Sequence, residues 1–238
     1  MKKLMIVILV AVSTLVVAQT IDSKPLKYGL KGGVNFARLN GEIEIGSVVV
    51  KPKFYTGYTF GAFANYPLSE KFSIQPELLF SRNGSRYEDI KLETFEDAIG
   101  GIELGNFANL LGTKLEMYVG TNWLQIPVLG VYQVDESLKL YAGPYIGFYL
   151  SGKAFVEASA LIFELIDSEY DIKSEDLQLP DFGMIVGGSY DLTKNIAVEA
   201  RYSYGFIDVA DEIIFGFLDD DVIVAKNSAI QLLLQVTL

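Results

Sequence analysis

The chain has 238 residues, 19 Lys and Arg against 30 Asp and Glu, a formal net charge of -11, and 50% hydrophobic residues. The charge excludes a nucleic-acid partner, because nucleic-acid recognition requires a basic surface. The sequence contains no Cys and no His, which excludes disulfides, thiolate metal sites and every nucleophile that depends on a histidine base.

The N-terminal segment has the pattern of a secretory signal peptide. Two lysines are followed by an apolar run, and Val16 and Ala18 are small residues in the positions that precede a cleavage site. The alternative is a single membrane anchor helix, which would need about 20 apolar residues, more than this run supplies. We therefore expect residues 1–18 to be removed and residues 19–238 to form one domain.

From about residue 28 onward, apolar and polar residues alternate with a period of two, which predicts half-buried β-strands. The clearest runs are 72–81, 196–206 and 230–238. Looser alternation marks 28–38, 55–68, 115–134, 138–152 and 178–192. The pattern therefore predicts eight strands in one domain.

Short and long connections between these strands alternate along the chain. Tight hairpin turns are predicted at 68–72, 134–138 and 192–196. Longer connections are predicted at 40–53, 87–114, 154–176 and 209–227. All short turns then lie at one end of an up-and-down sheet and all long loops at the other end.

One face of the predicted strands carries a set of polar and charged side chains. Charge on a lipid face costs about 2–4 kcal/mol at mid-bilayer, so this face should line the inside of a barrel, where Arg201 can pair with Glu77 or Glu199. A soluble lipocalin-like barrel would expose the same face to water and is the alternative. The set comprises Gln75, Glu77, Gln125, Glu199, Arg201, Gln231 and Gln235.

Aromatic residues collect near the strand ends, as they do at the two interfaces of a membrane. The ordinary strand preference of aromatic residues is the alternative explanation. The interface aromatics are Tyr66, Tyr132 and Tyr190 beside the short turns, and Trp123, Tyr202 and Tyr204 toward the long loops. Because only a closed barrel satisfies every backbone group of a sheet in lipid, we expect an all-β fold: an eight-stranded antiparallel up-and-down transmembrane barrel with short periplasmic turns and long extracellular loops.

Six ordered segments resemble the PorT-like outer-membrane β-barrel family, often labelled the porin family. They are Tyr28-Gly-Leu-Lys-Gly-Gly-Val-Asn-Phe36, Gly61-Ala-Phe-Ala-Asn-Tyr66, Gln75-Pro-Glu-Leu-Leu-Phe80, Leu124-Gln-Ile-Pro-Val128, Tyr141-Ala-Gly-Pro-Tyr145 and Gly187-Gly-Ser-Tyr190. The chain departs from the family at Gln125, where an acidic residue is frequent, and at Leu238, where an aromatic residue is usual. The resemblance implies a barrel in the outer membrane of a Gram-negative bacterium and implies no biochemical activity.

The residues provide little for catalysis. Membrane barrel enzymes rely on a histidine base or a histidine-assisted nucleophile, and this chain has no His. The carboxylate pair Glu77 and Glu199 is the formal alternative, but Arg201 is the expected partner of either one. We therefore expect no catalytic residue and no cofactor.

Acidic residues concentrate in three predicted loops: 87–114, 154–176 and 209–227 together hold 18 acids and 4 bases. Carboxylates suit a hard cation such as Ca²⁺, although the clusters do not match an EF-hand loop, and a solvated loop is the preferred interpretation. The weak metal candidates are Asp167, Glu169, Asp171, Asp219, Asp220 and Asp221. Apolar runs at 160–166 and 213–218 indicate strands that extend beyond the membrane, a loop cap or a docked protein.

These patterns favour a non-enzymatic outer-membrane protein with a structural or surface-interaction role through acidic extracellular loops. The expected partners are outer-membrane lipid, the outer-membrane assembly machinery, and an extracellular protein or divalent cation at the loops. A small-solute transport or ligand-binding barrel is the alternative, and a secreted lipocalin-like binder is a weaker one. Side chains fill the interior of an eight-stranded barrel, which disfavours a wide pore.

Overall fold

The computed structural model describes residues 25–41, 43–45, 48–90, 113–160, 163–172, 180–208 and 226–238. Its strands are β1 (Lys27–Asn40), β2 (Ile43–Ile45), β3 (Val48–Val50), β4 (Lys53–Pro67), β5 (Phe72–Ile90), β6 (Thr113–Gln133), β7 (Leu138–Ala160), β8 (Phe163–Ile172), β9 (Asp181–Asp191), β10 (Ile196–Asp208) and β11 (Lys226–Thr237). The predicted signal peptide lies outside the described residues. Among the residues described, no helix is long and apolar enough to cross a membrane.

Eight of these strands close into an antiparallel barrel, in the order β1, β4, β5, β6, β7, β9, β10 and β11. The last strand returns to pair with the first, so that Lys31 on β1 lies opposite Gln235 on β11 and Gly61 on β4. Each wall strand is thus paired on both sides, which satisfies the backbone without an open edge. The predicted fold class and strand count are confirmed.

The three short turns share one hydrogen-bond frame. In each, the first residue donates its amide to the carbonyl of the last, over 2.8–2.9 Å, at Leu68–Phe72, Val134–Leu138 and Leu192–Ile196. The second residue of each turn accepts the amide of the last residue through its side chain: Ser69 at 3.1 Å, Asp135 at 2.8 Å and Thr193 at 3.0 Å. Residues with short oxygen-bearing side chains favour such turns, which explains why the chain turns tightly at these three points.

The barrel wall is much taller on one side than on the other. Strands β5, β6 and β7 have 19, 21 and 23 residues, whereas β9, β10 and β11 have 11, 13 and 12. Crossing a membrane takes about 9–11 residues of a tilted strand. The taller side therefore continues well beyond the membrane at the long-loop end, where β8 pairs with the last part of β7, from Gly152 to Ala160.

Two of the predicted long connections contain strands of their own, which is one of the alternatives that the apolar runs left open. The segment 154–176 is largely the hairpin of β7 and β8, and the segment 40–53 contains the small hairpin of β2 and β3. The density of charge in 154–176 favoured a loop, but acids spaced two apart, such as Asp167 and Glu169, also fit a strand with one wet face. The apolar run at 160–166 accordingly belongs largely to these two strands.

The outward face of the barrel is apolar and exposed. Alternate residues along each wall strand point outward, and Phe60 is 53% exposed there. Tyr58, Phe60 and Phe80 stack together with ring centroids 5.1–6.2 Å apart. At the short-turn end, the ring centroids of Phe72 and Tyr132 are 4.9 Å apart. This surface explains how an acidic chain can also be half hydrophobic, because its apolar side chains cover the outside of the barrel.

Candidate functional site

The centre of the lumen holds four ionised side chains in direct contact, here called the luminal ion cluster: Lys31, Glu77, Glu199 and Arg201. The Lys31 ammonium donates to Glu77 at 2.6 Å and to Glu199 at 2.8 Å. The Arg201 guanidinium donates to Glu77 at 2.7 Å and lies 3.3 Å from Glu199. All four side chains are completely buried. Two positive and two negative charges make the cluster neutral.

Barrel closure brings these residues together from distant parts of the chain. Lys31 lies on β1, Glu77 on β5, and Glu199 and Arg201 two residues apart on β10. Two residues is the period of a strand, so both β10 side chains point to the same face. A buried ion is tolerated only with partners, and each of these four ions has at least two within the cluster.

Amide side chains surround the luminal ion cluster. Gln75 donates to Glu77 at 2.8 Å, and Gln231 accepts a hydrogen bond from Arg201 and donates to Thr59 at 3.1 Å. The structure therefore brings Gln75 and Gln231 against the charges that the sequence places on the same face. The other two predicted polar residues, Gln125 and Gln235, are also buried and face inward.

Further polar layers lie between the luminal ion cluster and the long-loop end. The amide of Asn35 donates to Thr59 and Ser81 at 3.2 Å and to Asn83 at 3.0 Å. A separate group is centred on Asp181. Its carboxylate accepts hydrogen bonds from Tyr145 at 3.0 Å and Asn227 at 3.1 Å.

Apolar side chains fill the rest of the described interior. One buried group, on β6, β7 and β9, consists of Leu129, Val131, Tyr141, Tyr145 and Ile185. A second group of buried side chains lies nearer the long-loop end and consists of Ala37, Leu39, Tyr87, Met117 and Val119. Ions, amides and apolar side chains together occupy the lumen, as expected for eight strands.

A polar cavity of about 290 Å³ opens at the short-turn end of the barrel. Lys27, Asn65 and Gln75 contribute to its lining, together with Lys139 and Asp191. The Lys139 ammonium and the Asp191 carboxylate form an ion pair at 2.6 Å. We call this cavity the vestibule, and Gln75 links its wall to the luminal ion cluster.

Trp123 does not lie at the membrane interface, and its predicted place in an aromatic girdle is wrong. It is 1% exposed, its indole donates to Thr121 at 2.9 Å, and its ring packs edge-on against Tyr149 at 5.6 Å. The physical reason is alternation: Trp123 is two residues before the inward Gln125 and so shares its face. Nearness to a strand end does not determine on which face of the strand a side chain lies.

The other predicted interface aromatics lie on the outward face. Tyr132, Tyr190 and Tyr202 are exposed, and Tyr66 and Tyr204 are half-buried. Three of them, Tyr66, Tyr132 and Tyr190, flank the short turns. Their role as membrane anchors stays a prediction.

The sequence pattern missed Lys31 and Asn35, which are central to the lumen. Their inward neighbours on β1 are Gly29 and Gly33, which carry no side chain, so the polar face of this strand is hard to recognise. An ideal Cβ at Gly33 would lie 2.0 Å from the carbonyl oxygen of Leu232, which explains the glycine. Val34 lies on the outward face, so alternation along β1 places both Lys31 and Asn35 on the inward face.

The weak metal candidates receive no structural description. Asp219, Asp220 and Asp221 lie outside the described residues, and the side chains of Asp167, Glu169 and Asp171 on β8 are also outside what is described. Across the side chains that are described, no group of three or more acidic or other metal-ligating residues gathers.

The solved structures that resemble this chain have low sequence identity to it. The solved structures that the chain resembles include Neisserial surface protein A, at 12% identity over 90% of this chain and 99% of that one, with a TM-score of 0.43. The attachment invasion locus protein Ail of Yersinia pestis is 12% identical over 90% of this chain and 100% of its own, with a TM-score of 0.43. OprG from Pseudomonas aeruginosa is 9% identical over 90% of this chain and 95% of its own, with a TM-score of 0.40.

None of the curated proteins matches the chain. The model of one protein family matches residues 17–211, most of the barrel. The chain belongs to the outer membrane protein beta-barrel domain family, and it is a barrel of the Gram-negative outer membrane.

Proposed function

We propose that this outer-membrane protein is a non-enzymatic barrel with a closed lumen, which acts as a structural or surface-interaction protein through its extracellular side. The observation that carries the proposal is the luminal ion cluster. Four completely buried side chains meet across the centre of the barrel at distances of 2.6–3.3 Å. Solutes would have to separate these ions to pass.

The same contacts argue against catalysis. Glu77 and Glu199 are the carboxylates that could have served as an acid and base pair, and both are bound by Lys31 and Arg201. A carboxylate held between two fixed cations is a poor proton acceptor. Its location in a buried layer also keeps a substrate out.

The extracellular side remains the place for function. Strands β5 to β8 rise beyond the membrane and carry the acidic segments at 87–114 and 154–176. Binding residues commonly lie on loops above a rigid scaffold. An extracellular protein or a divalent cation is the partner that these acids would attract, and the assembly machinery of the outer membrane would insert the barrel. Assignment to the PorT-like group within the family also stays a prediction.

Single-channel recording in planar lipid bilayers tests the closed lumen. We expect no steady current from the wild-type protein over a range of voltages, because the luminal ion cluster occupies the pathway. Arg201→Ala is the informative variant, because it removes one cation of the luminal ion cluster. We expect brief channel openings from this variant. A steady open current from the wild type would overturn the proposal.

One observation favours the second candidate, a small-solute transport or ligand-binding barrel. The vestibule offers about 290 Å³ of polar space at the short-turn end, which suits a small hydrophilic ligand. A bound periplasmic solute with no current would indicate binding alone. The secreted lipocalin-like alternative is abandoned, because the barrel belongs to the outer membrane.

A further inference from the structure

A group of cations lies on the outward surface of β1, β4 and β5, toward the long-loop end of these strands. We call it the outer basic band: Arg38, Lys53, Arg82 and Arg86. Arg82 comes two residues after Phe80, so it is the next outward position beyond the stack of Tyr58, Phe60 and Phe80. Aromatic girdles mark the membrane interface, and the band therefore lies at headgroup level.

Aromatic rings hold the arginines of the outer basic band in place. The Arg38 guanidinium lies 5.1 Å from the centre of the Phe54 ring. Arg82 donates to the hydroxyl of Tyr55 at 2.9 Å, and its guanidinium lies 6.0 Å from the ring of the same residue. A guanidinium fixed against a ring still has other N–H groups free to donate. Less side-chain entropy is then lost when a ligand binds.

The four cations differ in whether an acid neutralises them. Arg86 pairs with Glu88 and with Glu116, and Lys53 pairs with Glu88. In the described part of the chain, no carboxylate lies within ion-pair distance of Arg38 or Arg82. These two guanidiniums therefore keep their charge available to a ligand.

We propose that Arg38 and Arg82 bind phosphate groups of anionic lipid in the outer leaflet. A guanidinium matches a phosphate with two parallel hydrogen bonds, and lipid phosphates lie where the apolar surface ends. On the next strands of the wall, the exposed polar pair Asn122 and Ser151 is neutral and joined by a hydrogen bond of 2.9 Å. The proposed lipid site does not depend on whether the lumen conducts.

Native mass spectrometry of the purified barrel tests this site, with lipid A carrying two phosphates as the probe. The variant is Arg38→Gln with Arg82→Gln. The matched control, Lys71→Gln with Lys194→Gln, removes two exposed charges from the short-turn end instead. We expect the arginine variant to bind the probe roughly thirtyfold more weakly, because it removes two cations and each cation near an anionic surface contributes about 1 kcal/mol. The control should bind like the wild type.

Three results would overturn the proposal: unchanged binding by the arginine variant, equal binding of dephosphorylated lipid A by the wild type, or equally tight binding of inorganic phosphate. The last result would indicate a free-anion site instead of a lipid site. The mobility of unheated and boiled samples on a gel verifies folding of each variant. If the double variant does not fold, Arg38→Gln and Arg82→Gln are tested singly, and each should show part of the loss.

Discussion

Strand β5 carries charge in two settings, and the contrast explains much of the molecule. Glu77 points into the lumen, where Lys31 and Arg201 bind it within 2.7 Å and no water reaches it. Glu88, on the same strand beyond the membrane, pairs with Lys53 and Arg86, which are 50% and 39% exposed. The inner charges neutralise one another and close the barrel, whereas charges on the outer surface stay within reach of ligands.

The largest expected effect on stability comes from removing one charge of the luminal ion cluster. Glu77→Ala leaves Lys31 and Arg201 buried with only Glu199 between them, and we expect it to lower the free energy of unfolding by about 3–5 kcal/mol. Glu88→Ala is the matched control, and it should cost at most about 1 kcal/mol, as partly exposed pairs do. Chemical denaturation in lipid vesicles, followed by Trp123 fluorescence, measures both.

Equal losses in these two variants would mean that burial does not distinguish the two sets of charges. A loss below about 1 kcal/mol for Glu77→Ala would contradict its position between two buried cations.

A change in packing around the luminal ion cluster should have the next largest effect on stability. A Cβ at Gly187 would lie 2.6 Å from the Arg201 Cβ and 2.8 Å from the Tyr141 hydroxyl. We therefore expect Gly187→Ala to destabilise the barrel by about 1–3 kcal/mol, since overpacking forces the backbone or side chains to shift. At Gly130, on the lipid side, the nearest atom would be 3.6 Å away, and Gly130→Ala should be close to neutral in the same unfolding assay. A neutral Gly187→Ala would show that the lumen has spare room.

Much of the fold was accessible from the sequence, because period-two alternation and alternating turn lengths are local signals. The face of Glu77, Glu199 and Arg201 follows from the same period. The pairing of Lys31 with Glu199 does not, because these residues are 168 positions apart and meet only after the barrel closes. Trp123 lies near a strand end, as interface aromatics do, but alternation from Gln125 places it inside the barrel. The sequence leaves open whether the strands extend beyond the membrane at 160–166, because a charged loop and a strand with one wet face can have the same composition.

A smaller effect is expected at the hairpin turn of Asp135. The amides of Ser137 and Leu138 donate to its carboxylate at 2.8 Å and lower the pKa of Asp135 below its usual value of 3.8. The folded pKa lies below the unfolded one, so this stabilisation is present above the ordinary carboxyl pKa and is lost as the pH falls through the lowered value.

Denaturation midpoints at pH 7 and pH 3 measure that dependence. The difference between wild type and Asp135→Asn should be largest at pH 7 and should shrink at pH 3. Ser69→Ala removes the equivalent contact in another turn, from a group that does not titrate, so its effect should not depend on pH. A difference for Asp135→Asn that is the same at both pH values would contradict the assignment.

The smallest expected effect concerns Trp123, the only tryptophan of the chain. Lipids brominated on their acyl chains should quench its fluorescence only weakly, because its ring lies inside the barrel against Tyr149. Moving the tryptophan outward in the variant Trp123→Phe with Phe60→Trp should give strong quenching. Strong quenching in the wild type would return Trp123 to the lipid face.

Acetylation of lysines in the folded barrel tests the closed lumen most directly. The Lys31 side chain is 0% exposed and that of Lys53 is 50% exposed, so peptide mass spectrometry compares an inner with an outer amine in one sample. The structure predicts that Lys53 and Lys71 are modified while Lys31 reacts only after the barrel is unfolded. Acetylation of Lys31 in the folded protein at the rate of Lys71 would contradict a closed lumen.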